Sequence, residues 1–333
     1  MTGMKPDCEN VMGIRSATRI ATHRRSRRGS LLLLSAALLA LAPAPASAAG
    51  GAGPKTFMSP EQAAEALDAA WVSSSSRQLL VIFGRAGQRL VSSGDPVAAK
   101  DAREKLAASF AEAHRIDAEN AQRVVIVLGK NEWPYPIPLV RHGTGWRFDV
   151  KAGEEQIIDR RIGHDELNAI EVCRAYVVAQ REYATKDRQG DGLHEYAQRV
   201  ASSEGKHDGL YWKAIESGEE SPIGPFVATA EAQGYGVASA EGTAPFHGYF
   251  FKVLTRQGWN APGGPRDYIA KGHMTRGFAL VAFPAKYGDS GVMTFLVNQH
   301  GIVFEKNLGP DTTSVARQMT DYNPDPSWKI AQP

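Results

Sequence analysis

The chain has 333 residues, 43% of them hydrophobic and 22% charged, the composition of a globular protein rather than of a disordered or membrane-embedded one. Of its 38 Lys and Arg and 36 Asp and Glu, seven basic and two acidic residues fall within residues 1–49, which leaves 31 basic and 34 acidic residues beyond them. That remainder carries a formal charge of about −3, with no basic field that would argue for a nucleic-acid partner.

The basic N-terminus reads as a signal peptide over 1–49. His23-Arg24-Arg25-Ser26-Arg27-Arg28 is a charged n-region, LLLLSAALLALA (31–42) an apolar stretch, and Ala46-Ser47-Ala48 an A-x-A cleavage site. Twelve apolar residues span about 18 Å as a helix, short of a bilayer core of about 30 Å, so cleavage would leave no membrane span. Ser26-Arg27-Arg28 leaves both general and twin-arginine export open. An exported, periplasmic or secreted protein is expected. Cleavage removes Cys8 and leaves Cys173, which excludes an internal disulfide and a cysteine-based zinc cage.

After a linker at 50–56, an N-terminal α+β domain is expected over 57–160. Ser59-Pro60-Glu61-Gln62 and Asp95-Pro96 are helix starts. RVVIVLG (123–129) and IPLVRHGTGWRFDV (137–150) then read as strands with a Gly-rich turn. Trp133-Pro134-Tyr135-Pro136-Ile137-Pro138 reads as a guarded sheet edge, with a docking strip as the alternative. A second domain, 161–333, is expected to pack a long helix on an antiparallel meander. The helix lies within 160–187 with Asp165 as a cap and Leu167, Ile170, Cys173, Val177 and Ala184 on one face. The strands are YFFKVLT, GFALVAFP, GVMTFLVN and GIVFEKNLG, with Asn298-Gln299-His300-Gly301 as the clearest hairpin turn. The fold class is α+β.

Three patterns bear chemistry. Gly288-Asp289-Ser290-Gly291 matches the surroundings of a chymotrypsin-like nucleophile, with Asp289 and His247 or His273 as partners to be brought in by folding, but Gly, Asp and Ser are also turn formers. KDRQGDGLHEYAQ (186–198) resembles a degraded calcium loop, with Asp187, Gln189, Asp191, Gly192 and Glu195 in register and Gln198 where a bidentate Glu belongs. The eight histidines after residue 49 form no HxH or HExxH spacing, and no Walker loop, GxGxxG or GxSxG occurs.

WPYPIPLVRHGTGWRFD, the stretch from Arg160 to Gln198, HGYFFKVLTRQG and GFALVAFPAKYGDSGVMTFLVNQHGIVFEKNLGPDT together resemble the DUF2950 proteins over about residues 57–330. The resemblance implies an exported bacterial protein of unknown function. It supplies no catalytic residue, and its Asp loop often reads closer to D-x-D-G-D-G, from which Gln189 departs. The second half is also similar to the globular heads of type IV pilins and pseudopilins, without their apolar N-terminal spine. The leading expectation is a non-enzymatic binding or assembly module of the cell envelope, with another envelope protein as its partner and aromatics such as Trp133, Tyr135, Trp146, Tyr249 and Trp259 as a possible face. The alternatives are an envelope hydrolase using Ser290 and a weak calcium-binding module.

Overall fold

Helix α1 (Pro60–Val72) starts as its sequence dictates: the Ser59 hydroxyl accepts the Gln62 N–H, and Pro60 sits where no N–H is needed. The computed structural model describes residues 53–212, 219–236 and 243–332, and the signal-peptide reading of 1–49 lies outside them. Helices α2 (Ser76–Phe83), α3 (Gln88–Val91) and α4 (Pro96–Glu112) follow. Asp95 caps α4, its Oδ1 accepting the N–H groups of Val97 and Ala98 at 3.0 Å each.

These helices cover an antiparallel sheet of β1 (His114–Asn120), β2 (Arg123–Leu128), β3 (Trp133–Pro134), β4 (Leu139–His142) and β5 (Gly145–Phe148), in the order β1-β2-β4-β5 with β3 beside β2. The proline segment thus enters the sheet only through Trp133 and Pro134, paired with Leu128 and Val127. Strand β1 escapes sequence reading because HRIDAEN has little apolar alternation; it is a mostly exposed edge held by pairing with β2, with Ile116 packed on the core and His114 stacked on Phe110. Leu67, Trp71, Ile82, Phe83, Ile126, Leu128 and Phe148 fill the space between the layers, and each such side chain contributes about 1.5–3 kcal/mol by leaving water.

Helix α5 (Val150–Tyr183) begins 15 residues before Asp165, so Asp165 is no cap but a buried residue in mid-helix. Gly163-His164-Asp165 reads as a break, yet Gly163 lies in open space and the ladder runs through it. The boundary expected at 160/161 therefore falls inside a continuous helix, and the described residues belong to one compact unit.

On α5 packs an antiparallel sheet of β6 (Tyr249–Leu254), β11 (Ala279–Pro284), β12 (Met293–Asn298), β13 (Phe304–Asn307) and β15 (Lys329–Ile330), ordered β15-β13-β12-β11-β6. Around it lie α6 (Gly224–Ala232), α7 (Thr312–Gln318), the hairpin of β9 (Ile269–Ala270) with β10 (His273–Met274), and a small sheet of β7 (Arg256–Gln257), β8 (Arg266–Asp267) and β14 (Asp321–Tyr322). Ile170, Cys173, Tyr176 and Val177 of α5 face Leu280, Phe295 and Val297 of the sheet, while Leu167 is exposed. Glu166 fixes the helix to the sheet end by accepting the N–H groups of Val292 and Met293 at 2.9 and 3.0 Å. Gly301 closes the β12–β13 turn through its N–H to the Asn298 carbonyl at 2.9 Å. The fold is α+β, and no described helix is long and apolar enough to cross a membrane.

Candidate functional site

Asp289 and Ser290 lie in the β11–β12 turn. The Ser290 side chain is fully buried; its Oγ sits 2.9 Å from the Gly248 carbonyl and 3.2 Å from the Lys286 carbonyl and accepts the Lys286 N–H at 3.0 Å. A hydroxyl fixed on backbone groups and shut off from solvent stabilises a turn. Asp289 is buried too, its Oδ1 2.8 Å from Arg89 Nε and its Oδ2 paired with Lys286. His247 precedes Gly248 but is not among the hydrogen-bond partners of Ser290; its Nε2 pairs with Gln233 Oε1 at 2.9 Å.

His247 instead opens onto a cleft of about 490 Å³ between α4, α5 and the Trp133–Tyr135 segment, within the usual range for a small-molecule site. Trp71, Trp133 and Tyr135 give it an aromatic wall. Arg103, Lys105, Arg160 and Arg161 oppose Asp101 and Asp165 on its lining. Lys105 is paired with Asp101 at 2.8 Å, and the Arg161 guanidinium donates to the carbonyls of Arg89 and Leu90. Arg160 lies over the Trp133 ring, 5.5 Å from its centroid. Arg103 Nε is buried and, among the described residues, has no hydrogen-bond partner; burial holds its guanidinium below the ordinary value.

Asp165, His164 and His247 stand together on the lining. Burial raises the Asp165 carboxyl, only partly offset by its 3.3 Å contact with His164 Nδ1. That same contact raises His164, whereas burial, and then the charge of His164, lowers His247. The two imidazoles lie 5.8 Å apart, centre to centre. His247 also holds φ at +44°, in the left-handed region that costs a non-glycine residue about 1 kcal/mol or more. Gly248 behind it has φ +73°, and a Cβ there would stand 2.4 Å from Asp165 Oδ2. Three titratable groups displaced in opposed directions on the lining of a cleft are suited to hold or exchange a proton with a bound molecule.

In the 186–198 loop, Asp187 closes the turn on itself, accepting the N–H groups of Gln189, Gly190, Asp191 and Gly192. Asp191 and Glu195 leave that turn and meet His273. Sequence reading weighed His247 and His273 only as partners of Ser290, and missed Arg103 and the place of Asp165 on the cleft lining. The available signal was the helix face itself: stepping back from Tyr176, Val172 and Ala169 by threes and fours reaches Asp165 and Arg161, charges on a stripe that should be apolar.

Among known proteins, no curated protein matches the chain and no solved structure does, so the likeness to pilin heads gains no support there. The model of a family described as "Protein of unknown function (DUF2950)" matches residues 54–331. The chain belongs to the DUF2950 family.

Proposed function

We propose that this is an exported, non-enzymatic binding module of the cell envelope whose cleft takes a small organic anion with a planar apolar part. The observation that carries the reading is Arg103 Nε, a buried cationic donor that, among the described residues, has no partner, on the wall of an aromatic-lined cleft. An unmet donor of this kind costs about 1–3 kcal/mol, more when charged, and an anionic acceptor would recover that cost. Trp133 with Arg160 over its face offers a stacking platform for the planar part. Export is supported by the charged, apolar and A-x-A segments of residues 1–49.

The test is a titration of the mature chain with 8-anilinonaphthalene-1-sulfonate, an aromatic sulfonate, followed by tryptophan fluorescence. Saturable binding at one equivalent, weakened about tenfold in Arg103→Gln and weakened by salt, supports the reading. Binding that is unsaturable, or that Arg103→Gln leaves unchanged, refutes it.

A further inference from the structure

Near the C-terminal end of α5, the 188–198 segment lies against the β9–β10 hairpin. Tyr196 N–H donates to the Met274 carbonyl at 2.8 Å, and Gln198 Nε2 to the Gly272 carbonyl at 2.6 Å. Buried Gln180 of α5 fixes the same segment, its amide bonding both the N–H and the carbonyl of Ala197. These contacts bring one ligand atom each from Asp191, Glu195 and His273 within 4.8 Å of one another.

Glu195 is the informative member. Its side chain is 3% exposed and its Oε1 accepts from Gln189 Nε2, yet its Oε2 is buried and, among the described residues, without a hydrogen-bond partner. His273 Nδ1, 3.3 Å away, is in the same condition, because the two atoms approach without hydrogen-bond alignment. Asp191 Oδ2 stands 3.5 Å from that nitrogen. A desolvated carboxylate oxygen and an imidazole nitrogen left unmet on a rigid support are costly unless something lies between them. Two ligand atoms on one tetrahedral metal ion, with bonds of about 2.0–2.1 Å, lie about 3.3 Å apart, the separation between Glu195 Oε2 and His273 Nδ1.

We propose that Asp191 Oδ2, Glu195 Oε2 and His273 Nδ1 form a binding site for a divalent first-row transition metal, Zn²⁺ before Mn²⁺. One imidazole among two carboxylates is the donor set of such ions; calcium takes oxygens only and more of them. Gln189, which breaks the calcium-loop pattern, orients Glu195 from behind, as supporting residues around metal ligands do. Asp187 is not a ligand. The site is independent of the cleft, so either assignment can fail alone.

The experiment is equilibrium dialysis of the EDTA-stripped mature chain against Zn²⁺, Mn²⁺ or Ca²⁺ alone, with melting temperature as a second readout. One equivalent of Zn²⁺ is expected, bound more tightly than Mn²⁺, with a raised melting temperature and no response to low-millimolar Ca²⁺. Glu195→Gln and His273→Ala are expected to weaken Zn²⁺ binding at least 100-fold, and His300→Ala, at an exposed imidazole, to leave it unchanged. Asp191→Asn, at an exposed position, keeps the test decisive should Glu195→Gln fold poorly, with an expected loss of at least tenfold. Absence of Zn²⁺ binding, as a protonated His273 between two carboxylates would give, overturns the proposal. So does Zn²⁺ binding that survives Asp191→Asn and His273→Ala, or binding of Ca²⁺ in its place.

Discussion

Asp95 Oδ2 accepts the backbone N–H of Gly248 at 2.8 Å, across 153 positions of sequence, and the Tyr235 hydroxyl at 3.0 Å, while its other oxygen caps α4. One buried carboxylate thus ties the helical layer to the turn before β6 that carries His247. Asp95→Ala removes a helix cap and leaves a buried N–H unmet, an expected cost of about 2–4 kcal/mol. Tyr235→Phe, which removes the bond to Asp95 and the one accepted from the His247 N–H but keeps the ring, should cost about 1–2 kcal/mol. Urea denaturation of both variants measures this; equal losses would contradict it.

The two cleft histidines should titrate on opposite sides of the ordinary value of 6.5, His164 above and His247 below. The signs oppose in stability as well. A raised histidine contributes stability that is complete below pH 6.5 and lost as pH rises through its folded value; a lowered one contributes stability that is present above 6.5 and lost as pH falls through its folded value. The His164 side chain is 66% exposed, so its share is small and the fall on the acidic side should dominate. Histidine ring resonances followed by NMR from pH 4 to 9 test the order; the reverse order contradicts the geometry.

Asp165 carries a cost. Its carboxyl is raised above 3.8 by burial, so its favourable contribution is complete below that pH and lost as pH rises through the folded value; at neutral pH the ionised form opposes folding. Asp165→Asn should therefore stabilise the protein at pH 7 by about 0.5–2 kcal/mol, the gain typical of replacing a group kept for function. In the same variant His164 should titrate closer to 6.5, since its largest upward influence is gone. Destabilisation with an unmoved His164 would count against this view.

Ser290→Ala should cost about 1–3 kcal/mol, because the carbonyls of Gly248 and Lys286 and the Lys286 N–H share its hydroxyl in a buried turn. A fluorophosphonate probe should fail to label the folded protein at Ser290. Stoichiometric labelling there, lost in Ser290→Ala, would show that the turn opens and the hydroxyl is reachable.

Local chemistry made much of the fold readable. Ser59-Pro60 and Asp95-Pro96 start helices by their own hydrogen-bonding logic, and Asn298 to Gly301 turns because Gly301 tolerates φ +80°. The meander follows from its apolar runs. Strand β1 was not readable, since its order comes mainly from pairing with β2, with only Ile116 and His114 packing from its own side chains. The start of α5 was hidden by Gly153 and Gly163; Gly153 is needed where Pro136 crosses, a Cβ there falling 2.2 Å from its carbonyl oxygen. The cleft was the least legible feature. Arg103, Trp133, Asp165 and His247 come from four separate segments, and spacing along one chain carries no record of such convergence. In the 186–198 loop Asp191 and Glu195 lie together, but the third residue beside them, His273, comes from a distant hairpin that the loop's own spacing does not announce.

The most direct test of the cleft assignment is a ¹H–¹⁵N NMR titration of the mature chain with 8-anilinonaphthalene-1-sulfonate, read at the indole N–H groups. Trp71 and Trp133 line the cleft, whereas the Trp259 side chain is 83% exposed. Shifts concentrated on Trp71 and Trp133, saturating together and needing about tenfold more ligand in Arg103→Gln, are the predicted result. Shifts confined to Trp259, with the cleft tryptophans unmoved, would contradict the account.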